Sequence, residues 1–306
     1  MSIVPARPDS SDSLSVFEAE RGRLRGVAYR MLGTHADADD VVQEAWLRFS
    51  TTATSIDNPA AWLTTVVTRL AIDELRSARR TRAAYVGPWL AEPALDRPED
   101  TVGGGDPAEQ QLLVESITIG FLAVMERLSP LERAVFVLHD VFAMPLTEVA
   151  EVIERSEAAT RQLAKRARDH LAADRRRFDP DPDDVRVLTE MLLTAAASGD
   201  LETIQSFLAD DVVALADGGA HKRAARLPIV GAERVARYFT NLAGRLEPGT
   251  EVHLVRANGQ TGLYLTAAGE PLMLLFASWR DGKVTATHAV HNPDKLARFH
   301  SDWLAR

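Results

Sequence analysis

Two short segments prevent this chain from folding as one continuous body. Residues 85–111, YVGPWLAEPALDRPEDTVGGGDPAEQQ, hold four prolines and four glycines. Residues 177–184, RFDPDPDD, hold two prolines and four aspartates. Proline lacks the backbone donor that helices and ladders need, and glycine loses the most backbone freedom on ordering, so both segments read as linkers. The 306 residues therefore divide into three parts, each with its own hydrophobic pattern.

Before the first linker the pattern is helical. Phe17, Leu24, Val27, Ala28, Met31 and Leu32 recur at helix spacing. A loop at GTHADADD leads to a second helix starting at Asp39-Asp40, where carboxylates suit the N-terminal dipole. A long third helix follows Asn58-Pro59, with Asn58 as its N-cap, and ends among arginines. Between the linkers, Ser129-Pro130 opens another helix, a turn falls at Phe142–Pro145, and a short helix covers Leu146–Ile153. After the second linker come two helices joined at Gly199-Asp200, a strand, and a helix near 231–246. A β-rich stretch with turns at Asn258-Gly259, Gly269 and Asp281-Gly282 follows, and a last helix starts at Asn292-Pro293. Helices followed by a meander of antiparallel strands predict an α+β cone or barrel.

Charge narrows the function. The chain is acidic, with a formal net charge of −9, yet Arg155–Arg177 carries eight Arg/Lys against three acids. Arg69–Arg82 carries five Arg against two acids, and Glu92–Glu109 between them carries six acids and one Arg. Two basic segments separated by an acidic one suggest two polyanion-binding surfaces; the plainer alternative is that each is a solvated helix face. Cysteine is absent, so disulfides and thiolate metal sites are unavailable, and the lack of an apolar leader suits the cytoplasm. No apolar run approaches the roughly 20 residues that span a membrane. No cofactor or metal is expected.

The segment EVIERSEAATRQLAKRARDHL (151–171) reads as the end of a short helix, a turn, and a second helix N-capped by Ser156. Thr160, Leu163, Ala164, Ala167 and Leu171 share the inward face. Arg161 and Gln162 are placed to reach base edges of a DNA major groove, and Lys165, Arg166 and Arg168 to hold phosphates.

The motifs ADADDVVQEAWLRF, NPAAWLTTVVTRLAIDELRSARR and LSPLERAVFVLHDVFAMPLTEVAEVIERSEAATRQLAKRAR, in this order, resemble regions 2 and 4 of an extracytoplasmic-function (ECF) sigma factor. The tail from AAASGDLETIQSFLADDVVALADGG onward resembles a SnoaL-like domain of the NTF2 superfamily. WLAEP (89–93), DGGAHK (217–222) and NPDKL (292–296) are similar to signatures of the sigma-factor group with that fused domain, although Ala91, Ala220 and the added His221 depart from its usual form. The resemblance implies two all-α sigma domains followed by an α+β NTF2/SnoaL-like cone: region 2 at 14–84, a linker at 85–108, the region 4 helix-turn-helix at 109–176, a linker at 177–184 and the SnoaL-like domain at 185–306.

The resemblance also implies partners. Region 4 would read the −35 promoter element. Region 2 would read the −10 element through Asn58, Trp62, Arg69, Arg76, Arg79 and Arg80, with Trp62 open to a core role instead. Asp37, Asp39, Asp40, Gln43 and Glu44 would dock on the clamp helices of core RNA polymerase, with the flap as a second contact; helix-dipole compensation explains those charges equally. Trp89, Leu90, Glu92, Pro93, Asp217, Gly218, Gly219, Lys222, Asn292, Pro293, Asp294, Lys295 and Leu296 would form the regulatory contact between linker and cone. The free chain would be a monomer. A cone can also keep a pocket for a small ligand, which leaves a one-component ligand-sensing regulator as an alternative. A cone-domain isomerase or cyclase is the third reading, with Asp217, His288 and His291 as candidates, but two histidines three apart on a strand point to opposite faces. The expectation is therefore no catalytic residue.

Overall fold

The computed structural model describes residues 10–52, 56–96, 118–175, 189–191, 194–195, 198–220 and 224–306. Residues 97–117, the linker at 177–184 and Lys222 lie outside this set, as do the side chains of Arg79 and Arg80. The chain forms two compact units, one from 1–81 with 128–170 and the other from 82–127 with 171–306.

The first unit is helical. Helix α1 (Ser10–Leu32) packs on α2 (His35–Thr51), burying Leu24, Val27, Ala28, Met31 and Leu32 against Ala38, Val42 and Ala45. Helix α2 begins four residues before the predicted start, because Thr34 takes the extended N-cap conformation and its hydroxyl donates to Asp37 at 2.5 Å. Helix α3 (Pro59–Ala83) starts as predicted, with the Ala61 amide donating to Asn58 Oδ1 at 3.1 Å. Helix α4 (Ile119–Met125) belongs to the second unit and packs on its sheet.

Helix α5 (Pro130–Val135) opens with a capping box between Ser129 and Glu132. It runs into a π-helical turn at Phe136–Val141, which the sequence pattern did not announce. Arg133, 3 % exposed, donates to the carbonyl of Met31 at 2.7 Å and so ties α5 to the end of α1. Helices α6 (Leu146–Val152) and α7 (Glu157–Arg175) complete the helical set.

The second unit contains α8 (Leu201–Ser206), β1 (Leu208–Asp217), β2 (Ile229–Val230), α9 (Ala232–Ala243), β3 (Thr250–Ala257), β4 (Gln260–Ala267), β5 (Glu270–Arg280), β6 (Lys283–Val290) and α10 (Pro293–Leu304). The sheet order is β2-β1-β6-β5-β4-β3. Strands β3 to β6 form the predicted antiparallel meander, whereas β1 lies parallel to β6, pairing Leu215 with His288 and Asp217 with Val290.

The three hairpins turn at Asn258-Gly259, Ala268-Gly269 and Asp281-Gly282, each with positive φ at both residues. That geometry matches strand twist. Bulges in β5 and at the β4–β5 pairing bend the sheet. One face packs Val235, Ala236 and Phe239 of α9 and Ile204 of α8 onto Val212, Ala214, Leu263, Leu275 and Trp279. Burying a side chain such as Phe239 contributes about 1.5–3 kcal/mol. Phe299 of α10 meets the buried Tyr264 at 5.1 Å between ring centroids. This is the α+β cone that the sequence predicts.

Candidate functional site

The helix-turn-helix is built from α6, the turn at 153–156 and α7. Glu154 takes a left-handed conformation (φ 55°), and the Arg155 amide closes on the Ala150 carbonyl at 3.0 Å. Ser156 caps α7 through the Ala159 amide at 3.3 Å. Thr160, Leu163, Ala164, Ala167 and Leu171 are all buried, as their spacing predicts.

The outer face carries Arg161, Gln162 and Lys165, all exposed. Arg161 pairs with Glu157 at 3.2 Å; both side chains are about half exposed, so the pair is worth less than about 1 kcal/mol and opens readily. Arg166 and Arg168 are held more firmly. They bond Glu132 at 3.1 Å and Asp140 at 2.6 Å, whose side chains are only 9 % and 15 % exposed. Burial works against the Glu132 charge, but the Ser129 amide and hydroxyl, His170 and Arg166 hold its carboxyl below the ordinary range.

The region 2 candidates lie along α3. Asn58 is engaged in the cap of α3. Trp62 is half-buried, with its ring 5.7 Å from Phe49 in an aromatic row that continues through Trp46 to Phe17. Arg76 pairs with Asp73 at 2.9 Å on the surface. Arg69 reaches the helix-turn-helix instead: it donates to the carbonyl of Val152 at 2.9 Å and of Glu151 at 3.3 Å, and it pairs with Glu154 at 2.9 Å. A guanidinium at the C-terminal carbonyls of α6 sits at the negative end of that helix.

On α2, Asp39 is paired with Arg25 at 2.5 Å and Glu44 with Arg48 at 2.9 Å. Asp40 and Gln43 are exposed. Leu47, 50 % exposed, lies one further turn along the same stripe. The sequence pattern does not single out Leu47, since one apolar residue on a polar face carries no periodic signal.

Most of the linker and cone residues singled out in the sequence come together around Asp217. This carboxylate is fully buried at the end of β1. It accepts from the Tyr85 hydroxyl at 2.5 Å, the Leu90 amide at 2.9 Å, the Gly219 amide at 3.1 Å and Lys295 Nζ at 2.7 Å. Lys295 also donates to the Leu90 carbonyl, and its ammonium stands 4.1 Å from the centroid of the Trp89 ring. Asn292 caps α10 through the Asp294 amide and donates to the Tyr85 hydroxyl at 2.9 Å.

Pro93 and Leu296 are buried, Glu92 and Pro293 half-buried, and Gly218 sits between the buried Asp217 and Gly219. Burial, and then the charge it donates to, push the Tyr85 hydroxyl well above the ordinary phenol range. The sequence pattern did not single out Tyr85, although it shares Trp89's signal, an aromatic ring inside a Gly/Pro-rich segment. Further along, Leu95 bridges to Ala257, and the Ala94 amide donates to Asn258 Oδ1 at 2.8 Å.

The two histidine candidates separate. His288 is buried in β6, where burial lowers its pKa to about 4 and keeps the ring neutral. His291 lies one residue beyond that strand and lines a different surface, against α9. Among the described residues no cluster of three metal ligands forms, and no helix is long and apolar enough to cross a membrane.

Comparison with known proteins assigns both helical segments to known families. Residues 16–81 match the Sigma-70 region 2 family and residues 120–171 the Sigma-70 region 4 family. The chain belongs to the ECF RNA polymerase sigma factors. It is 42 % identical over 295 residues to ECF RNA polymerase sigma factor SigJ of Mycobacterium tuberculosis, covering 92 % of this chain and 93 % of that one. The probable ECF RNA polymerase sigma factor SigI of the same species is 32 % identical over 285 residues, covering 92 % and 94 %. The crystal structure of M. tuberculosis SigJ superimposes with a TM-score of 0.71 at 38 % identity, over 93 % of this chain and 98 % of that one, so the likeness extends through the C-terminal sheet domain.

Proposed function

We propose that this sigma factor directs RNA polymerase to its promoters under the control of its own C-terminal domain, acting through the linker that joins the two promoter-reading regions. The observation that carries this reading is the anchoring of Tyr85, Trp89 and Leu90 on the buried Asp217–Lys295 pair. A linker held at those points restricts how far region 2 (14–84) and region 4 (109–176) can separate. Release of the linker frees them, and the cone (185–306) works as a regulator to which no catalytic step is assigned. The free chain is a monomer in this reading and acts in the cytoplasm, where polymerase and promoter are.

Region 4 reads the −35 element with Arg161, Gln162 and Lys165, while Arg166 and Arg168 reach phosphates from side chains that also brace their own domain. Region 2 serves the −10 element with Trp62 and the α3 arginines. The α2 stripe of Asp40, Gln43 and Leu47, with Asp37, Asp39 and Glu44 beside it, docks on the polymerase clamp helices, and region 4 meets the flap.

Arg69 cannot hold promoter phosphate while it holds the carbonyls of Glu151 and Val152, which in this reading supports a closed resting state. Transcription from a cognate promoter with purified core polymerase tests the reading. Asp217→Asn with Lys295→Met should change initiation at least about threefold relative to wild type, in a chain that keeps its helical content. Equal initiation would reject linker control, and an absence of promoter-specific transcripts from the wild type would reject the sigma role.

A further inference from the structure

Helix α9 buries Val235, Ala236, Phe239 and Ala243 in the cone. Its flank carries Arg234, Arg237, Tyr238 and Asn241, with Arg245 just beyond its end, at helical spacing. These residues wall an open cavity of about 440 Å³, lined also by Ile229 and Leu242 on the apolar side and by His291 just past the end of β6.

Three features set this surface apart from an ordinary solvated helix face. Among the described residues no carboxylate lines the cavity. Arg237 pairs with Glu233 at 2.5 Å, but that pair is exposed on both sides and weak. The Tyr238 hydroxyl is shielded from solvent and makes no hydrogen bond among the described residues. Leaving a buried hydroxyl unmatched is unfavourable, and an incoming acceptor recovers that loss. Burial pushes this hydroxyl up to about 12, so it stays protonated and able to donate.

We infer that the cavity on the α9 flank is a binding site for a small organic oxyanion on an apolar body, its head held by Arg234 and Arg245 with the Tyr238 hydroxyl and its body against Ile229 and Leu242. Arginine suits such a head because its planar donors match two oxygens at once. The site connects to the linker anchor through the backbone: the His291 and Asn292 amides donate to the Asp217 carbonyl at 2.7 and 2.9 Å, and the Asn292 side chain bonds Tyr85. A ligand against His291 therefore bears on the residues that hold Trp89. The inference rests on the regulatory reading only for its consequence, since binding itself needs neither polymerase nor promoter.

Calorimetric titration of the full-length chain with octanoate, octanol and inorganic phosphate tests it. Octanoate should bind saturably with one site per chain, at least about tenfold tighter than either half-probe. Arg234→Gln with Arg245→Gln should weaken it about tenfold or more, and Tyr238→Phe by a smaller factor, with ligand-free melting temperatures unchanged. Octanol binding as tightly as octanoate overturns the anionic head, and phosphate binding as tightly overturns the apolar body. No octanoate binding, or equal binding by the arginine variant, overturns the site. Lys295→Met should change octanoate affinity, because coupling between two sites is reciprocal; an identical affinity overturns the link to the linker.

Discussion

Lys295 Nζ lies 2.7 Å from Asp217 Oδ2, with the two side chains 10 % and 0 % exposed, and the linker residue Leu90 bonds to both through its own backbone. A pair this buried gains little over a well-packed apolar replacement, but breaking it strands a charge. Lys295→Met should therefore destabilise the second unit by about 3–5 kcal/mol, and Asp217→Leu with Lys295→Met by clearly less. Urea unfolding of the full-length chain, followed at both transitions, decides this. A double variant as unstable as the sum of the singles would mean that the pair does not act as a unit.

Gly219 tests the same anchor without touching a charge. Its φ is +58°, and a Cβ there would lie 2.6 Å from Asn292 Nδ2. Gly219→Ala should cost about 1–2 kcal/mol for the backbone conformation and push Asn292 off the Tyr85 hydroxyl. Faster proteolysis within 84–96 is the expected readout; an unchanged cleavage rate would show that Asn292 is not needed to seat the linker.

Glu132 makes the first unit sensitive to acid. Its carboxyl is held below its ordinary value of 4.5, so folding gains stability from its charge above that pH and loses it as pH falls through the lowered value. Glu132→Gln should lower the melting temperature near neutrality and flatten its decline below pH 4.5. Parallel pH profiles for the two proteins would contradict the assignment.

The two sides of α7 should respond differently to salt. Arg161→Ala and Lys165→Ala each remove an outward charge, so each should reduce the log–log salt slope of −35 DNA binding by about 0.9 for every phosphate that the variant no longer neutralises. Arg168→Ala removes the 2.6 Å bond to Asp140 and should lower thermal stability by about 1 kcal/mol as well as weaken binding. Filter binding across salt concentrations, with melting curves alongside, separates the two effects. A full slope change for Arg168→Ala at unaltered stability would place it on the outer face.

The division into helical and sheet parts was legible in the sequence because it rests on local chemistry. Prolines and glycines end elements, Asn58, Ser129 and Ser156 start helices, and Asn-Gly and Asp-Gly turn hairpins wherever they stand. The buried stripe of α7 and the grouping of Trp89, Asp217 and Lys295 were visible for related reasons: one is periodic, and the other resembles known signatures. Tertiary structure alone decided the partners. That β1 lies parallel to β6, that Arg69 turns from solvent to the carbonyls of Val152 and Glu151, and that Tyr85 closes on Asp217 across 132 positions are all long-range pairings. Such pairings depend on which groups folding buries together and on the need of each buried charge for a partner, and neither follows from the spacing of residues along the chain.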